Sequence, residues 1–337
     1  MAAHFGLDIG RSFVKVVEVD GGGKGLLKAA GSWQTPGGGI QSESETELGK
    51  LSEAIRSCVE AAKIATSNCV VSLVESQVVS RLIELPVLTD KELVAAINWE
   101  AEQYIPMPIK DVNLQYKVIS RPQDASGKMS VLLLAAPKRM VAKYLNVVGA
   151  AGLKAVAFET ESLALARALF RPGDPATIIV SLGAASSELV VVFGGNVLFT
   201  RSIASGGMVL TKAIMAEFNL PQNQAEEYKQ TYGILEDKLS AKVANVLKPT
   251  LDILAAELLK AMEYTHTHIQ GSAVSRVVIC GGGAFLPGLS EFLAARTSLE
   301  VSLGDPWAYF SKEGLVTKLV GQGSIYAVAT GLALRSV

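Results

Sequence analysis

The sequence predicts a duplicated α/β fold that carries a small inserted α+β subdomain. Three observations point there. The same strand, glycine turn, strand pattern occurs twice, about half a chain apart. Each occurrence is followed by segments of helical periodicity. Between them lies a block with strands and helices of its own.

The first pattern starts with the apolar run at residues 4–9, which closes on Gly10. The β-branched run at 13–19 and the glycine-rich stretch at 21–25 follow. The second runs over 177–183, closes on Gly183 and continues through 188–193 to Gly194 and Gly195. Short β-branched runs bounded by glycine read as strands joined by tight turns. A unit repeated at half-chain spacing reads as an internal duplication.

Leu48, Leu51, Ile55, Cys58, Val59 and Ala62 recur at helical spacing,. A helix over 90–104 starts at Thr89, with Glu92 placed for a capping box, and ends before Pro106,. Helices are expected at 207–218 and 223–232, the latter stopped by Gly233,. A long helical pattern over 247–269 is expected to be interrupted at Pro249. Residues 277–280 form a strand running into Gly281, Gly282 and Gly283, and a helix apolar at Phe285, Leu289, Phe292 and Leu293 follows. The middle block has strand-like runs at 69–74, 114–119 and 129–134, with helices at 90–104 and 138–151. The expected division is 1–75, an insert over 76–165, and a second half over 166–337 whose last helix returns to the first.

Composition narrows the function. The chain has 337 residues, enough for two domains, and 49% hydrophobic residues exclude wholesale disorder,. The net charge of −1, with no clustered basic run, argues against nucleic-acid binding,. No apolar run reaches the roughly 18 residues of a membrane span. The N-terminus has no signal-peptide pattern and the C-terminus no amphipathic tail. Cys58, Cys69 and Cys280 form no C-x-x-C pair, so buried reduced thiols are expected,.

Asp8, Gly10, Arg11, Ser12 and Lys15 form the first candidate site. A glycine turn lets backbone N–H groups approach phosphate oxygens. Asp8 at the strand end suits a Mg²⁺-bound water, and Lys15 suits phosphate charge. The competing reading is an ordinary hairpin with a solvated lysine. Ser181, Gly183, Ser186 and Ser187 repeat the turn and offer two hydroxyls to a phosphate. Ser181 stands where Asp8 stands, so the acid expected by symmetry is missing. Gly281, Gly282 and Gly283 between strand and helix suit an anion or a nucleoside. A dinucleotide fingerprint fails there because position 286 is Leu,. Glu226 and Lys229 share a helix face, as a surface ion pair or as nucleoside contacts. Gly207 completes the set.

In this order, the signals resemble the actin/Hsp70/sugar-kinase ATPase superfamily. The resemblance makes the two turns phosphate loops, Glu226 and Lys229 the purine-side helix, and Gly281 to Gly283 the adenosine motif. Residues 323–335 are similar to the closing helix of that fold. The insert is more telling: Arg81 to Pro86, then Lys91-Glu92-Leu93, then Trp99-Glu100-Ala101-Glu102-Gln103-Tyr104-Ile105-Pro106, resembles the PilM family of type IV pilus assembly proteins. That resemblance implies an FtsA-like 1C insert, ATP and Mg²⁺ as cofactors with Asp8 on the metal side, and a cytoplasmic scaffold peripheral to the inner membrane. It also implies a partner, the N-terminal tail of the inner-membrane protein PilN, held between subdomains 1A and 1C. Arg81, Pro86, Tyr104, Ile105 and Pro106 are the expected groove residues, and pilus motor components are further expected contacts. The family pattern has Asp where this chain has Ser181, so slow or absent hydrolysis is expected. The alternatives are an FtsA-like cytoskeletal protein, a GspL-like secretion component and a small-molecule kinase of the same superfamily.

Overall fold

The computed structural model describes residues 3–20, 25–122, 127–268 and 273–336. The glycine-rich turn expected from residue 21 and the end of the long helix expected at 269 lie outside them. The first half begins with β1 (Phe5–Ile9), β2 (Phe13–Asp20), β3 (Leu26–Gln34), α1 (Glu45–Ala61) and β4 (Asn68–Leu73). Then come β5 (Val79–Pro86), α2 (Asp90–Tyr104), β6 (Val112–Ser120), β7 (Lys128–Pro137), α3 (Lys138–Ala150), β8 (Lys154–Thr160) and α4 (Glu161–Leu169). The second half contains β9 (Thr177–Leu182), β10 (Ser187–Phe193), β11 (Asn196–Ile203), α5 (Gly207–Phe218), α6 (Gln222–Tyr232), α7 (Lys242–His268), β12 (Arg276–Cys280), α8 (Leu289–Thr297), β13 (Glu300–Leu303), α9 (Leu315–Lys318) and α10 (Ala327–Ala333).

The duplication is visible in the sheets. Their strand orders are β3-β2-β1-β4-β8 and β11-β10-β9-β12-β13. Each is an antiparallel three-strand meander extended by two parallel strands. This is the actin/Hsp70-like α/β ATPase architecture.

The period of two along each strand separates the faces. Leu7, Ile9, Val14 and Val16 pack outward with α1 and α3. Ile178, Val180, Leu182 and Leu189 pack outward with α5 to α8. The inner faces meet around α4 and α10, where Ile179, Val190 and Cys280 join Leu165 and Leu332. A Cβ on Gly331 of α10 would lie 1.9 Å from the carbonyl oxygen of Ala164 in α4. Only glycine allows the two backbones to come this close.

The insert is a three-stranded antiparallel sheet, β5-β7-β6, backed by α2. Ile83, Leu85, Leu93, Ile97, Met129 and Val131 give it a core of its own. The capping box that starts α2 is formed: Glu92 accepts from the Thr89 amide at 2.8 Å, and Thr89 Oγ1 accepts from the Glu92 amide at 3.4 Å. The structure differs from expectation at the edges of this block. α3 packs on the first sheet's core and β8 pairs with β4, so residues 138–160 join the first layer and not the insert. Sequence pattern marks strands and helices but not which sheet receives them. α7 also runs through Pro249 without the expected interruption. Leu247, Leu251, Leu254 and Leu258 bury one face of it, which outweighs a single lost backbone bond,. Phe285 lies in a 3-10 turn, and α8 starts only after Pro287 and Gly288.

Candidate functional site

The two glycine turns have the same geometry. The Gly10 amide donates to the Phe13 carbonyl at 3.1 Å, and the Gly183 amide to the Ser186 carbonyl at 3.0 Å. A Cβ would lie 2.7 Å from the Phe13 oxygen at the first and 2.8 Å from the Ser186 oxygen at the second. Among the described residues the amides of Arg11, Ser12, Ala184 and Ala185 find no acceptor. Each turn therefore presents free backbone donors, as phosphate cradles do.

Behind each turn a pair of residues faces inward across the ladder. In the first hairpin Asp8 stands opposite Lys15. The Lys15 ammonium lies 2.9 Å from Asp8 Oδ2, and Ser72 Oγ donates to Asp8 Oδ1 at 3.1 Å. Burial opposes the Lys15 charge, but Asp8 and Glu161 outweigh it and raise its pKa above the ordinary lysine value. In the second hairpin Ser181 stands opposite Glu188. Glu188 is buried, and its Oε1 accepts from Ser186 Oγ at 3.1 Å and from Ser202 Oγ at 2.8 Å. Burial pushes its pKa up to about 7, aided by Glu75 and opposed by the serine hydroxyls.

Glu161 opens α4 between the two hairpins. Burial, then the charges of Asp8, Glu188 and Glu75, hold its carboxyl well above the usual range, against the pull of Lys15. Glu75 accepts from the Ser162 amide at 3.2 Å and from its hydroxyl at 3.0 Å, and also bonds Thr200 of β11. Glu75, Glu161 and Glu188 escaped the sequence reading. Glu188 left a signal, because it is the lone carboxylate in the apolar strand Ser-Glu-Leu-Val-Val-Val-Phe.

Other expected residues fall nearby but with their polar atoms engaged. Ser187 Oγ donates to the Ser205 carbonyl at 2.6 Å and Ser186 to Glu188, so neither of the two expected phosphate hydroxyls is free. The amides of Gly207 and Met208 donate to the carbonyls of Gly183 and Ala184, joining the second turn to the start of α5. Lys229 donates to Glu226 at 2.7 Å, to Thr211 at 2.8 Å and to the Gly207 carbonyl at 3.1 Å, so the pair ties α6 to α5. Arg11 is exposed and donates to the Gly38 carbonyl. Gly281 and Gly283 pack against Leu182 at the end of β9, while space is open above Gly282.

The donor set suits a nucleotide that brings its own metal. Among the described residues no group of three or more His, Cys, Asp or Glu side chains is arranged to hold a metal ion. Mg²⁺ habitually keeps several waters and binds through one or two carboxylates plus substrate phosphates.

A second concavity lies between the first layer and the insert. It has a volume of about 470 Å³ and is lined by Ser76, Gln77, Val79, Pro106, Met107 and Tyr144, among others. At its rim Glu43 accepts from Lys143 at 2.6 Å and from Arg139 at 2.8 Å. Those two cations hold the Glu43 carboxyl below the usual range. Of the expected groove residues only Pro106 lines this space. The Arg81 guanidinium stacks 4.5 Å above the Tyr104 ring, Ile105 is buried in the insert core, and Pro86 ends β5 opposite Lys128.

A family model described as type IV pilus assembly protein PilM matches residues 6–337. The chain belongs to the PilM family. A solved PilM-PilN type IV pilus biogenesis complex is 31% identical, covers 99% of this chain and 98% of its own, and superposes with a TM-score of 0.85. The cell division protein FtsA of Neisseria meningitidis is 21% identical over 89% of this chain and 83% of its own length. The ethanolamine utilization protein EutJ of Salmonella typhimurium is 24% identical over 45% of this chain. The chain spans about half, 48%, of that curated relative. The PilM family places the chain within the actin-like ATPase superfamily. No helix among the described residues is long and apolar enough to cross a membrane.

Proposed function

We propose that this chain is a nucleotide-holding scaffold of a type IV pilus assembly complex, working on the cytoplasmic face of the inner membrane. Its groove between first layer and insert takes the N-terminal tail of a PilN-like membrane protein. The observation that carries this reading is the groove itself. Its volume of about 470 Å³, the apolar Val79, Pro106 and Met107, and the Glu43, Arg139 and Lys143 rim suit an extended peptide with mixed chemistry,. The solved relative was determined as a complex with PilN, and this chain matches it along almost its whole length.

The cleft between the hairpins is the nucleotide site in this reading. The free amides of Arg11, Ser12, Ala184 and Ala185 cradle phosphates, and Lys15 meets their charge while Asp8 orients metal-bound water. Gly282 leaves room for the nucleoside, and Gly281, Gly283, Gly207, Glu226 and Lys229 frame it. Bound Mg²⁺ would neutralise phosphate charge and carry ordered water. Ser181 offers no carboxylate on the leading strand where Asp8 stands in the other hairpin, so no acid there activates the attacking water, and ATP is held and turned over slowly or not at all. The division into subdomains over 1–75, 76–165 and 166–337 is retained here only with residues 138–160 moved to the first layer.

Titration calorimetry with a synthetic PilN N-terminal peptide tests the scaffold reading. Binding at micromolar affinity, weakened about tenfold or more by Met107→Glu, is expected. An absence of heat with the peptide, alongside rapid ATP turnover, would turn the assignment towards a kinase.

A further inference from the structure

Glu188 is a buried acid with one oxygen unpartnered. It is 3% exposed, and its Oε2 has no hydrogen-bond partner. Its Oε1 is gripped by Ser186 and Ser202, which fixes the carboxylate plane. An acid buried in this way is retained at a loss of stability unless something meets it.

Its position follows from the duplication. The first hairpin carries its acid, Asp8, on the leading strand, with Lys15 opposite. At the equivalent positions the second hairpin carries Ser181 and Glu188. The carboxylate has changed strands but not faces, because directly opposed residues of an antiparallel pair share a face. Glu188 remains on the inner side with Val190 and Cys280, and electrostatically near Glu161 and Glu75. Lys15, the cation of the cluster, is already bonded to Asp8.

We propose that Glu188 is the second hairpin's metal-positioning residue. Its unpartnered oxygen would accept a hydrogen bond from a water on the divalent cation that accompanies a nucleotide, the role that Asp8 would have in the first hairpin. This inference rests on the nucleotide reading above.

The test compares ATP binding by calorimetry in Mg²⁺ and in EDTA for the full chain. In the parent, Mg²⁺ should tighten binding about tenfold or more. Glu188→Gln should abolish most of that gain while leaving the EDTA affinity within about twofold, which also shows that the variant is folded. Ser181→Asp combined with Glu188→Ser moves the acid back across the ladder and should restore the gain. Three outcomes overturn the inference alone: a Glu188→Gln protein that keeps the full Mg²⁺ gain, a swap variant that fails to recover it, and a parent indifferent to Mg²⁺. A parent that binds ATP in neither buffer overturns the nucleotide reading as well.

Discussion

Glu188 sets a pH dependence that a single substitution exposes. Burial raises its pKa from the ordinary 4.5 to about 7 in the folded chain. The folded state therefore binds a proton that the unfolded state has released. The stabilisation is complete below about 4.5 and is lost as pH rises through about 7,. Glu188→Gln removes this dependence. At about pH 8 the variant should be more stable by at most roughly 3 to 4 kcal/mol, from about 1.36 kcal/mol per pKa unit, and the two proteins should converge near pH 4. Urea melts at several pH values measure it. A gap that is constant with pH would mean that Glu188 is ionised in a place already suited to its charge.

Among elements, α10 is tightly constrained on two sides. It lies between the layers against β1, and its Gly331 meets the backbone of α4. A methyl at Gly331 has no path away, because the atom it meets is a carbonyl oxygen in a buried helix. Gly331→Ala should cost about 3 kcal/mol, at the upper end of overpacking penalties. The layers would have to separate, so thermal melting should drop and lose cooperativity. Gly149 on α3 has nothing within 4 Å of the equivalent position, and the same substitution there should leave the melt nearly unchanged.

At the scale of the molecule, one short turn links the cleft to the groove. Glu75 bonds Ser162 of α4 and Thr200 of β11, and the next two residues, Ser76 and Gln77, line the groove. A shift of α4 or β11 when the cleft is filled would therefore reach the groove through one residue. The expected result is a peptide affinity that differs about threefold between Mg-ATP and nucleotide-free protein, with Glu75→Ala reducing the difference. Equal parent affinities with ATP, with ADP and without nucleotide would sink this coupling.

Much of this architecture was legible in residue order. The β-branched runs that end at Gly10 and Gly183 predicted both hairpins, because strand periodicity and the turn's need for glycine are local properties. Thr89 and Glu92 predicted the start of α2 for the same reason. Trp99 to Pro106, in its sequence string, carried the PilM resemblance. What remained hidden depends on contacts between residues far apart in the chain. Residues 138–160 joined the first layer because β8 pairs with β4 and α3 completes its core. Pro249 did not break α7 because buried leucines hold the helix on both sides of it. Ser186 and Ser187 gave their hydroxyls to Glu188 and Ser205. By itself the sequence determined the repeated hairpins, the capped start of α2 and the family. Only the tertiary structure decided that Glu161, Glu75 and Glu188 converge on Asp8 and Lys15, because burial and long-range electrostatics exist only once the two sheets are packed together.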